Sequence, residues 1–184
     1  MNETTRVADT LSATMDRPRG TASKLSVHGT VVAELRGPDG KLKGYCKTHN
    51  LVTSVGDQLY ASRGAGLTSS ALPTGMKLGS GSTAVAKTGA GAALVTYLSG
   101  SNQAFDGSFP SVTGGVATYK VTYAAGTATT ASPITEVVIP TDTIATNATS
   151  TAANTISRAL LTGIGSKGAS DTLTITWIHT ILGQ

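Results

Sequence analysis

Apolar and polar positions first fall into step at Leu25. Leu25, Val27, Gly29, Val31, Ala33 and Leu35 alternate with Ser26, His28, Thr30, Val32, Glu34 and Arg36. A period of two sends successive side chains to opposite faces of a strand. Gly37-Pro38-Asp39-Gly40 supplies a turn, proline fixing one φ and glycine accepting a positive one. The chain should then return through residues 41–47, with Leu42, Gly44 and Cys46 inward and Lys41, Lys43, Tyr45 and Lys47 outward. Over residues 50–63 the period lengthens: Leu51 or Val52, Val55 and Leu59 recur at three- to four-residue steps, predicting a short helix. Ser54 is the expected N-cap, Asp57 an acid in the first turn, and Gly64 the residue past the end.

Beyond the helix, apolar runs separated by Gly, Ser and Thr predict strands at residues 75–78, 94–98, 116–123, 134–139, 155–162 and 171–182. In the last, Leu173, Ile175, Trp177 and Ile181 face one way and Thr172, Thr174, Thr176 and Thr180 the other. This series predicts a mainly β fold over residues 25–184, an antiparallel, jelly-roll-like β-sandwich with one short helix. Residues 1–24 keep neither period, and Arg17-Pro18-Arg19-Gly20 breaks any helix there. A polar segment with no core of its own reads as an extended arm lying on a neighbouring subunit. Loops 80–93 and 99–115 are the segments expected to be mobile or to touch a partner.

Composition sharpens this picture. A chain of 184 residues suits one domain. With 13% charged residues and 22 glycines, it is neither a heptad coiled coil nor a highly charged disordered tail. The net charge of +4 is local: residues 21–63 carry six basic and three acidic groups, and the remainder nearly balances. A specific nucleic-acid binder usually shows a denser stripe, so no direct nucleic-acid contact is expected. No apolar run resembles a signal peptide or a membrane span, so a soluble product made in the cytoplasm is expected.

Candidate chemistry is sparse. Cys46 and His49 have the spacing of two zinc ligands but lack a second pair, so no metal is expected. Gly79-Ser80-Gly81-Ser82-Thr83-Ala84 matches a dinucleotide fingerprint in form, yet the glycines that follow would break the helix that site requires. There is no nucleophile elbow, and no pair of carboxylates can be argued to converge. His28 should be exposed, and His49 should belong to the turn into the helix. His179 should sit at a strand end where the core opens to water. Glu136, on the face of Ile134 and Val138, needs a bonding partner if buried and is expected to hold a neighbouring loop. The row Lys41, Lys43, Tyr45, Lys47 reads either as lysine protection of an edge strand or as a docking strip for an acidic protein surface.

Several segments in order carry a resemblance: residues 50–56 (NLVTSVG), 78–84 (LGSGSTA), 119–126 (YKVTYAAG), 134–139 (ITEVVI) and 167–177 (KGASDTLTITW). Over residues 47–184 the chain resembles small virion structural proteins of tailed bacteriophages. The resemblance implies a non-enzymatic, assembled β-protein without cofactors that decorates or cements the capsid. Its expected partners are copies of itself and other virion proteins, the major capsid protein foremost. Arg6, Arg17 and Arg19 of the arm, with Lys41, Lys43, Tyr45 and Lys47, would form the contacts. The alternatives are a neck, tail or fibre-adaptor part, or a host-surface binding module presented by the two loops.

Overall fold

A computed structural model describes residues 25–68 and 71–183. The expected arm, with Arg6, Arg17 and Arg19, lies outside the described residues. The elements are β1 (Leu25–Arg36), β2 (Leu42–His49), β3 (Leu51–Val52), α1 (Ser54–Gly64), β4 (Gly75–Gly79), β5 (Gln103–Ala104), β6 (Ser111–Thr113), β7 (Val116–Tyr123), β8 (Glu136–Pro140), β9 (Thr155–Leu160) and β10 (Thr172–Gly183). They form two five-stranded antiparallel sheets, ordered β2-β1-β10-β7-β6 and β3-β9-β8-β4-β5. The fold is a β-sandwich; these orders do not establish the jelly-roll wiring.

The core lies between the sheets. Val31, Ala33, Leu35, Tyr119, Val121, Tyr123, Leu173, Ile175 and Trp177 come from the first sheet, and Met76, Leu78, Val137, Ile139, Ile156 and Ala159 from the second. Alternation places these residues on every strand but β9, where Ile156 and Ala159 are three apart, and the twelve-residue β1–β10 ladder holds the first sheet in register. The faces turned away from this core differ. On the first sheet that face is rich in threonine and only partly buried, whereas on the second Lys77, Glu136, Val138 and Arg158 are all fully buried.

Several expectations are corrected in detail. Leu42 is half-exposed rather than inward, because a bulge between Leu35 and Arg36 sets it opposite Arg36. Leu51 and Val52 pair with β9 and do not join the helix. The N-cap is Thr53, one residue earlier than expected; its hydroxyl accepts from Gly56 N at 3.2 Å and donates to Thr155 O. Gly64 stays helical, and Gly66, at φ +75°, takes the left-handed position after the cap. The N–H groups of Gly66 and Leu67 then bond back to Arg63 and Ser62 carbonyls, a Schellman ending. Residues 94–98 make one isolated bridge, Gly79 to Tyr97, in place of a strand. A hairpin within the 99–115 loop was not expected: Gly114 and Gly115, both at positive φ, turn β6 back onto β7.

Candidate functional site

The expected row on β2 does not form a single line. Lys41 sits in the turn with Asp39 at 3.2 Å. Lys43, at the bulge, reaches the carboxylate of Asp171 at 2.6 Å. That bond and the Gly168 N–H hold the Asp171 carboxyl below its ordinary value. Tyr45 and Lys47 remain on the outer face, opposite Glu34 and Val32. β2 is an edge strand, as the lysine-protection reading of the row requires.

The glycine-rich segment that imitates a dinucleotide motif surrounds a carboxylate. Glu136 Oε1 accepts from Gly81 N at 2.9 Å and Thr96 N at 2.8 Å. Its Oε2 accepts from Arg158 Nε at 3.0 Å and Nη2 at 2.7 Å, and from Val95 N at 3.3 Å. Arg158 spends its remaining arm on the carbonyls of Thr83 and Gly91. A Cβ on Gly79 or Gly81 would lie 2.4 or 2.5 Å from Glu136 Oε1, so these glycines make room for the carboxylate. Glu136 therefore holds a neighbouring loop, as expected, and by taking the N–H groups of Val95 and Thr96 it interrupts the strand expected there. The 80–93 loop is correspondingly tied down over the second sheet, with Gly81, Gly91 and Ala92 buried. Lys77, fully buried beside this pair, bonds to Asp142 and to Ala148 O, both at 2.8 Å.

His179 overturns its expectation: it is fully buried rather than at a wet strand end. Trp177 Nε1–H, which can only donate, points at its Nε2 at 2.9 Å, and Asn50 Nδ2 approaches the same nitrogen at 2.9 Å. Nε2 must accept, so the neutral ring carries its proton on Nδ1 and donates to Tyr60 Oη at 2.5 Å. Tyr60 in turn meets Tyr119 Oη at 3.2 Å. Burial lowers the His179 pKa from 6.5 to about 4 and pushes the Tyr60 phenol upward. Asn50 reaches this position because Gly29 of β1 has no side chain; a Cβ there would overlap the Asn50 amide. The cluster joins α1 and the chain before β3 to the first sheet.

His28 is exposed on the outer face of β1, and His49 ends β2 with Nδ1 3.3 Å from Gly29 O. Cys46 is buried, its sulfur accepting from Thr162 N at 3.4 Å, so the structure does not direct the Cys46–His49 spacing at one point. Among the described residues no helix is long and apolar enough to cross a membrane. The network residues that sequence reasoning missed are Arg158, Asn50 and Tyr60. The signals were Gly29 in an inward row and a lone arginine inside an apolar run. Set against protein-family models, curated proteins and solved structures, the chain has no significant match.

Proposed function

We propose that this chain is a non-enzymatic structural protein of a tailed-bacteriophage virion. In this reading it decorates or cements the capsid, and residues 1–24 bridge to neighbouring subunits. One observation carries the proposal: the segments that resemble virion proteins build the fold. Residues 78–84 wrap the carboxylate supplied by residues 134–139. Residues 119–126 and 167–177 are bonded together through Lys167 Nζ to Ala124 O at 2.9 Å and Gly126 N to Ala169 O at 2.7 Å. Glu136 and Lys167 in these segments hold loops to the sheets, which suits a rigid body used in many copies.

The test is a phage carrying a chain that lacks residues 1–24. Loss of incorporation into particles, with the isolated protein still giving the circular dichroism of a folded β-protein, is the expected result. Full incorporation with lost adsorption to cells would overturn the bridging role and favour host-surface recognition.

A further inference from the structure

The outer face of the first sheet is the open one, and its charges are unevenly matched. Reading across four neighbouring strands, Lys47, Val32, Thr176 and Lys120 stand in register. Three strand spacings separate the two lysines by about 14 Å. Beside this row run Tyr45, Glu34, Thr174 and Thr122. The face is thus a broad surface of threonine hydroxyls and β-branched methyl groups with a lysine toward each side, and with Tyr45 and the Arg36-paired Glu34 toward its β2 edge.

The described residues contain seven acids, and all are engaged. Six are in ion pairs. The seventh, Asp106, accepts from Thr122 N at 2.8 Å and Thr122 Oγ1 at 2.7 Å. Neither Lys47 nor Lys120 has an acid within ion-pair distance among the described residues; Lys120 Nζ stands 5.9 Å from the centre of the Phe109 ring. The positive charge left over on this face has no counterpart elsewhere on the same body.

We infer that the open face of the first sheet docks an acidic protein surface of a different chain, with Lys47 and Lys120 as the charged contacts and the threonine rows between them as the flat contact area. A second copy does not fit: the acids of its described body are all engaged, and its residues 1–24 set three acids against four basic groups and so offer no acidic surface. Nucleic acid fits less well: Val32 and Thr176 lie between the lysines, and Tyr45 beside Lys47 is a single exposed ring rather than a series on which successive bases could stack. The inference deepens the structural role proposed above and rests on it only in expecting a large partner surface.

The test uses the full-length protein and fluorescent poly-L-glutamate, followed by anisotropy at low ionic strength, where exposed charges are least screened. Lys47→Gln/Lys120→Gln should weaken binding about five- to tenfold, as two exposed charge contacts allow. Lys120→Gln alone should weaken it about twofold to threefold. Lys87→Gln, which removes the same single charge from a lysine already paired with Asp57, should leave it unchanged. Equal losses for Lys87→Gln and Lys120→Gln would overturn the inference, reducing the effect to net charge. Tighter binding of duplex DNA through the same two lysines would overturn it in favour of nucleic acid. Absence of the chain from purified virions would end the structural reading while leaving the polyglutamate comparison standing.

Discussion

Glu136 shows how much one side chain can organise in this fold. It is fully buried with Arg158, and such a pair contributes little net stability over an apolar replacement yet is costly to break. Glu136→Gln should therefore destabilise the protein by about 3–5 kcal/mol in urea unfolding, because it leaves the guanidinium buried without its counter-charge. A change below about 1 kcal/mol would mean that water reaches the pair. Tyr123 is the opposite case. Its hydroxyl is fully buried with no hydrogen-bond partner among the described residues. Tyr123→Phe should be neutral or stabilising by about 1 kcal/mol, and a clear loss of stability in the same assay would contradict that. Glu136 was legible in the sequence as a carboxylate inside an apolar strand. Arg158 was not, because only the strand register shows that it flanks Val138 beside Glu136.

Elements were legible where a single local rule governs them. β7 and β10 follow alternation, and the β1–β2 turn follows Gly-Pro-Asp-Gly. The helix was found, but its start was displaced because Thr53 and Ser54 are both good caps and only the tertiary bond to Thr155 O selects the first. Thr53→Ala should cost about 1–2 kcal/mol, whereas Ser54→Ala should stay within about 0.5 kcal/mol. Equal costs in thermal unfolding would return the cap to Ser54. The β2 row was misjudged for a similar reason. A bulge adds one residue and turns the side chains before it to the other face, and no local residue type at Leu42 or Lys43 announces it.

For the molecule as a whole, the sandwich could be read from strand periodicity, but the asymmetry of its two outer faces could not. That asymmetry depends on loops crossing the second sheet and on contacts distant in sequence. The His179 cluster likewise joins groups from β10, α1, β7 and the turn before β3, and it makes stability depend on pH. The folded pKa of about 4 lies below the ordinary 6.5, so between these values the unfolded chain takes up a proton that the folded chain refuses. The stabilisation is complete above pH 6.5 and declines by about 3 kcal/mol as the pH falls to 4. Urea unfolding across that window should show the decline, and His179→Gln, though less stable at neutral pH, should lose most of the slope. An unchanged slope would place the titration elsewhere.

The proposed structural role is tested most directly by copy number in purified particles, measured by quantitative mass spectrometry against the major capsid protein. Copies in the hundreds are expected for a protein that decorates or cements the head. A few to a few dozen would contradict the head position and shift the role to neck, tail or fibre, and absence from the particle would contradict the virion role entirely.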